Sequence, residues 1–300
     1  MKPLEVRENL TEEEFVSEYV AQNKPVVISG IPYEADKWRP EALKDSIGEM
    51  KTQVYDTLFD LDKTSSLNEY FAENFGKDGP MPKHVPYVRW YNQLKDMHFV
   101  KGDKAFEELS KIWTKPDCIP SSDLIMPITG NGKTANPVND NFPYRGILVA
   151  ARGARTRMHR DPFCSDAVVA QFYGTKEAAL YHPSRTAELM QKTADNSFGG
   201  FKDVRADDLE SLSVEPDYKG QLEPGQMIFI PNGWLHDVIC LSDSISVTWN
   251  FIHKRGAEAF IDYLKADPSK DSEFEVLQYF HKRGGLGKLS AEEMLTRIVA

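Results

Sequence analysis

Residues 222–253 read "LEPGQMIFIPNGWLHDVICLSDSISVTWNFIH". Pro224-Gly225 is a turn signal that launches the short apolar run Gln226 to Ile230. Pro231-Asn232-Gly233 turns the chain again, and Trp234-Leu235-His236 enters the next strand. Further on, Ile245, Val247, Trp249 and Phe251 alternate with Ser246, Thr248 and Asn250. A period of two puts the two sets on opposite faces of one strand. The polar face suits either an interior that holds a polar ligand or contact with water. His236 stands at a strand start beside a reversal, where it fits a metal ligand or a hydrogen-bonded structural histidine.

Working outward, "RGILVAA", "AVVAQFY" and "EAALYH" are further short apolar runs, punctuated by Gly, Pro, Asp and Ser. Such spacing predicts a sandwich, jelly roll or barrel. A polar, partly helical insertion over 184–220 interrupts the strands, and 115–143 reads as a long loop region of the kind that borders a site. Toward the N-terminus, Thr11 and Glu14 form a capping box that opens a helix with Phe15, Tyr19 and Val20 at helical spacing. Pro25 to Ile28 reads as a strand, and "SSLNEYFAENFG" as a helix with Leu67, Tyr70 and Phe71 inward. "HVPYVRWYNQL" alternates as a strand with Val85, Tyr87, Arg89 and Tyr91 on one face. Helices follow the strands at 257–266, 272–283 and from the capping box Ser290–Glu293 onward. The expected fold is mainly β with α flanks: helices and strands over 1–143, a β core over 144–253 and a helical tail over 254–300, all in one domain.

The 300 residues carry 36 Lys+Arg and 46 Asp+Glu, a formal charge of −10. That balance weighs against non-specific nucleic-acid binding. Three cysteines, Cys118, Cys164 and Cys240, make no disulfide framework and no CxxC. "MKPLEVRENLTEEEF" lacks the apolar run of a signal peptide, and no stretch approaches 18 apolar residues. A reducing cytoplasm and no membrane span are the expectation.

Residues 158–166 read "MHRDPFCSD". On a strand His159 and Asp161 project from one face and can grip one ion, whereas on a helix they diverge by about 200°. Two ligands are too few, because non-haem iron needs a third with open positions left over. His236 is the candidate third.

In this order, "HRD", "GTKEAALYHP", "LEPGQMIFIPNGWLHDV" and "SVTWNFIH" resemble the JmjC and cupin-like Fe(II)/2-oxoglutarate oxygenases, in particular the small asparaginyl-hydroxylase-like members. The resemblance covers 145–253 and extends more weakly through "NKPVVISGI" and "VPYVRWYNQL". It implies a double-stranded β-helix, or jelly roll, with His159, Asp161 and His236 as a facial triad for Fe(II), and 2-oxoglutarate and O2 as cosubstrates. Lys176 stands where the family keeps its cosubstrate lysine. The far carboxylate of 2-oxoglutarate needs such a cation, since burying it unpaired is costly. Thr156, Tyr87 and Asn250 match positions near the same cosubstrate. The resemblance implies a hydroxylase of a protein, peptide or small metabolite that releases succinate and CO2. N-methyl-lysine demethylation by the same chemistry is the alternative, as is a cupin that does not use 2-oxoglutarate. It also implies a homodimer through the C-terminal helices. The chain departs from the asparaginyl-hydroxylase pattern after the His-Asp pair: the interval from His159 to Lys176 is two residues longer, and Pro162-Phe163-Cys164 replaces polar residues.

Overall fold

The apolar runs form strands, and the strands pair into two sheets. A computed structural model describes residues 1–57, 60–91, 103–126, 146–192, 214–266, 274 and 290–299. In chain order the strands are β1 (Lys2–Pro3), β2 (Val6–Glu8), β3 (Val26–Ser29), β4 (Lys51–Tyr55), β5 (Leu61–Ser66), β6 (Tyr87–Tyr91), β7 (Leu124–Met126) and β8 (Gly146–Ala150). They continue with β9 (Arg155–His159), β10 (Asp166–Tyr173), β11 (Lys176–Tyr181), β12 (Tyr218–Leu222), β13 (Gln226–Ile230), β14 (Leu235–Cys240) and β15 (Ser244–His253). The smaller sheet has the order β1-β12-β11-β14-β9; the larger runs β2-β3-β13-β10-β15-β8-β6-β4-β5, with β7 beside the end of β15. Strands β8 to β15 thus alternate between two facing sheets, except that β11 and β12 form a hairpin within the smaller one, and this is the double-stranded β-helix expected from the sequence.

Side-chain parity decides what each face of the larger sheet meets. Val168, Ala170 and Phe172 of β10, Met227 and Phe229 of β13, and Ile245, Val247, Trp249 and Phe251 of β15 share one cluster on its outer face. The N-terminal helices cover that face with Phe15, Tyr19, Trp38, Leu43, Leu67 and Phe71. Trp38 stacks on Phe172 with ring centroids 4.0 Å apart. Burying each such side chain contributes about 1.5–3 kcal/mol, so the N-terminal half is the lid of the main core. The opposite faces of β10 and β13 give Ala167, Ile228 and Ile230 to a second cluster between the sheets, which Ala178, Leu180 and Leu222 complete from the smaller sheet.

Several local expectations hold. Glu14 N–H donates to Thr11 Oγ1 at 3.2 Å while Thr11 N–H donates to Glu14 Oε2 at 2.9 Å. The Ser66–Glu69 and Ser290–Glu293 pairs make the same reciprocal bonds. Leu67, Tyr70 and Phe71 are buried. The strand containing Tyr87 alternates as expected, and both of its faces are buried: Val88 and Trp90 enter the main core, while Val85 and Tyr87 pack with Ala150 and Cys240. Other expectations are corrected. The first helix widens after Phe15 into a π-type turn over Val16–Val20, closed by Ala21 N–H to Val16 O at 2.9 Å. The loop region 115–143 contains β7, and the insertion 184–220, helical in part as expected over Thr186–Lys192, also contains the start of β12. The helix expected over 272–283 lies outside the described residues apart from Phe274. Among the described residues no helix is long and apolar enough to cross a membrane.

Candidate active site

His159 ends β9, and Asp161 follows in extended conformation (φ −72°, ψ 150°), so the side-chain alternation continues past the strand end. His236 is the second residue of β14, one strand away, and its Cα is the register partner of His159. One ligand atom from each of His159, Asp161 and His236 lies within 4.8 Å of the others. Asp161 Oδ1 is 3.9 Å from His159 Nε2, and Oδ2 is 3.7 Å from His236 Nε2. His159 Nδ1 lies 2.8 Å from the carbonyl of Arg157, and His236 Nδ1 lies 3.1 Å from the carbonyl of Trp234. A carbonyl only accepts, so each Nδ1 carries the proton and each Nε2 lone pair is turned toward Asp161.

Burial pushes His159 well below its ordinary range, His236 and Arg89 push it the same way, and the hydrogen bond to the Arg157 carbonyl opposes them. His159 is therefore neutral, and its approach to Asp161 is the spacing of two ligands rather than an ion pair. Burial raises the Asp161 carboxyl, against the hydrogen bond from Asn250 and the charges of His236 and Arg89. Two imidazoles and a carboxylate around one point are a donor set for iron(II), whose charge would favour the ionised Asp161.

Lys176, the first residue of β11, is 4% exposed. Its Nζ donates to Ser246 Oγ at 2.6 Å, and burial lowers its pKa. Among the described residues no carboxylate contacts it. A buried ammonium in that state suits an anionic ligand. Lys176 lines a cavity with Tyr87, Thr156, Val238 and Cys240. The structure thus gathers three of the four residues matched to the cosubstrate. The fourth, Asn250, lies beside the metal cluster: it bonds Asp161 and donates to Ser165 Oγ at 3.1 Å. Ser246 and Asn250, on the polar face of β15, are buried in the interior and do not meet water.

Residues 11–257 match the family of cupin-like domains. The chain belongs to the JmjC, cupin-like family of iron(II)- and 2-oxoglutarate-dependent oxygenases. The chain is 25% identical over 298 residues to arginine-specific demethylase JMJ20 of Arabidopsis thaliana, covering 88% of this chain and 59% of that protein. It is 27% identical over 267 residues to lysine-specific demethylase JMJ21 of the same plant, covering 84% of this chain and 25% of that protein. With the 2-oxoglutarate and iron-dependent oxygenase JMJD4 of Gallus gallus it shares 32% over 167 residues, 53% of this chain and 36% of that protein. The chain therefore spans less than two thirds of each of these relatives.

Sequence reasoning missed the polar groups that hold the ligands in place. Asp166 Oδ1 accepts from Asn232 N–H at 2.9 Å and Asn232 Nδ2 at 3.1 Å, which anchors the turn leading to His236. Asn23 Nδ2 donates to Asn232 Oδ1 at 3.0 Å, and Trp234 Nε1 donates to Asn23 Oδ1 at 2.6 Å. An Asp or Asn separated from its partner by 66 or 209 positions leaves no periodic trace in a sequence. Phe163 and Cys164, two and three residues after Asp161, adopt φ of 58° and 53°. This left-handed pair is uncommon for such side chains. It sits at the point where the sequence departs from the asparaginyl-hydroxylase pattern.

Proposed function

We propose that the oxygenase hydroxylates a C–H bond of a protein, peptide or small-molecule substrate. In this reading His159, Asp161 and His236 hold iron(II), and Lys176, with Thr156 and Tyr87, holds the far carboxylate of 2-oxoglutarate. Bound iron(II), 2-oxoglutarate and oxygen supply the oxidising power, with succinate and CO2 as coproducts. The chain's own part is positional. The carbonyls of Arg157 and Trp234 fix both imidazole tautomers. The Asn250 hydrogen bond favours ionised Asp161. Ser246 aims the Lys176 ammonium into the cavity, and the buried lining keeps water from competing for it.

One observation carries this reading: a His-Asp-His cluster and a buried lysine without an acidic partner among the described residues share one jelly-roll interior. Purified protein with iron(II) is expected to turn 2-oxoglutarate into succinate, and His159→Ala is expected to abolish this. Absence of anaerobic 2-oxoglutarate binding to the metal-loaded protein would sink the proposal. A second reading, oxidation of an N-methyl group followed by demethylation, draws on the names of the two plant relatives. It predicts formaldehyde from methylated arginine or lysine peptides, which simple hydroxylation does not give.

We further read residues 1–300 as one domain, because the helix Glu258–Lys265 shares a buried cluster with Phe163 and Ile252 of the β core. The free thiols Cys118, Cys164 and Cys240 suit a reducing cytoplasm. We propose a homodimer through the C-terminal helices; a monomer mass by light scattering would remove it.

A further inference from the structure

Thr156 and His159 stand three positions apart, so a regular strand would turn them to opposite faces. Thr156 nevertheless lines the cavity with Lys176, while His159 opposes His236 in the metal cluster. The register between β9 and β14 accounts for this. His159 pairs with His236 and Thr156 with Val238, so two steps on β14 match three on β9. Strand β9 carries a β-bulge in which Arg157 and Met158 together oppose Asp237.

The Asp237 carboxylate lies on that bulge. It accepts Arg155 Nε at 2.8 Å and 2.9 Å through its two oxygens, and the side chains are only 8% and 15% exposed. It also accepts the backbone N–H of Met158. Arg155 immediately precedes Thr156, and Met158 immediately precedes His159. The two contacts therefore bracket the extra residue from both ends. A bulge without such a clamp can relax into plain pairing, and a one-residue slip turns a strand's side chains over.

We infer that Asp237 is a positioning residue that pins this bulge, so that Thr156 faces the 2-oxoglutarate pocket while His159 faces the metal. The inference rests on the proposed role of Thr156. It gives Asp237 no contact with substrate or metal. Loss of the clamp then weakens the cosubstrate more than the metal, because His159 remains in register with His236.

The test uses cobalt(II), which reports ligand number by its visible absorption, and anaerobic titration with 2-oxoglutarate. Asp237→Asn keeps the shape and one acceptor oxygen, Arg155→Gln removes the other half of the clamp, and Asp237→Glu serves as rescue. Both disrupting variants are expected to bind cobalt(II) within about threefold of wild type while the Kd for 2-oxoglutarate rises about tenfold or more. Asp237→Glu is expected to recover part of that loss. In a Thr156→Val background neither substitution is expected to weaken 2-oxoglutarate further, because the two effects share one route. Amide exchange at Met158 in the metal-free protein is expected to quicken in Asp237→Asn. Unchanged 2-oxoglutarate affinity, full additivity with Thr156→Val, or parallel loss of cobalt(II) and 2-oxoglutarate would overturn the role. Failure of both disrupting variants to fold would also overturn it, since the pair would then be a general folding element. If wild type itself binds no 2-oxoglutarate, the functional reading fails, and the Met158 exchange rate alone decides whether Asp237 holds the bulge.

Discussion

Lys176 concentrates the physics of the site in one residue. By composition it is one of many lysines, and only its place in the family motif singles it out. In the folded chain its ammonium is buried with one hydroxyl partner and no contacting carboxylate among the described residues. A charge in that state costs stability until an anion arrives. Lys176→Met is therefore expected to raise the stability of the ligand-free protein by about 1 kcal/mol or more. It should also weaken 2-oxoglutarate by about a hundredfold, and chemical denaturation and anaerobic titration read the two effects separately. A variant that is both less stable and unimpaired in binding contradicts the assignment. Asp166 is the second buried charge. Burial pushes its carboxyl up to about 7, with Asp161 adding to the rise and the Asn232 donors opposing it, and its Oδ2 has no hydrogen-bond partner among the described residues. The folded value lies above the unfolded value of about 3.9, so the stability it contributes is complete at acid pH and is lost as pH rises through 7. In the metal-free protein the advantage of wild type over Asp166→Asn should fall between pH 5 and pH 8 by on the order of 2 kcal/mol. A pH-independent difference in urea unfolding would show that Asp166 does not titrate in this range. The ligand residues were legible because a motif and a strand period both point at them. The residues that hold them were not, because Asp166, Asn232 and Asn23 meet only through the fold.

At the scale of elements, the turns were the most legible parts of the chain. Gly174 has φ of +69°, and a Cβ there would lie 1.7 Å from the backbone oxygen of Asp243. Backbone, unlike a side chain, has little room to give. Gly174→Ala is expected to destabilise by at least about 2 kcal/mol, through strain and through displacement of the turn against Asp243. Because Lys176 stands two residues on, the KM for 2-oxoglutarate should rise with the metal affinity nearly unchanged. An unaltered KM would separate the turn from the cosubstrate pocket. Strand β15 was also readable, since its period of two resolves into an outer apolar face and an inner polar one. The strand Tyr87–Tyr91 was readable from its alternation too, although both of its faces are covered. Period alone failed in one place. The bulge in β9 is defined by pairing with β14, and a single strand's residues do not reveal which of them is extra.

At the scale of the molecule, the flanks of the jelly roll have different tasks. The N-terminal half closes the main core over the outer face of the larger sheet. The C-terminal helix Glu258–Lys265 instead packs against the site. Phe260 and Leu264 share a cluster with Phe163, Ile252, Met126, Phe274 and Met294. Phe163 is 1% exposed and holds a left-handed backbone two residues after Asp161. Holding two such residues in succession costs roughly 1–3 kcal/mol each, so surrounding contacts must maintain the turn. Burial of the Phe163 ring against Phe260 and Leu264 supplies such contacts. Phe260→Ala is then expected to cost about 3–5 kcal/mol of stability, the usual range for emptying an aromatic site in a core. It should also weaken cobalt(II) binding, because the turn that follows Asp161 loses its backing. Leu43→Ala in the main core supplies the comparison. That change costs about 2–5 kcal/mol on the far side of the larger sheet and should leave cobalt(II) affinity near wild type. Equal effects of the two substitutions on metal affinity would mean that global stability, and not the C-terminal helix behind Phe163, governs the geometry of the metal ligands.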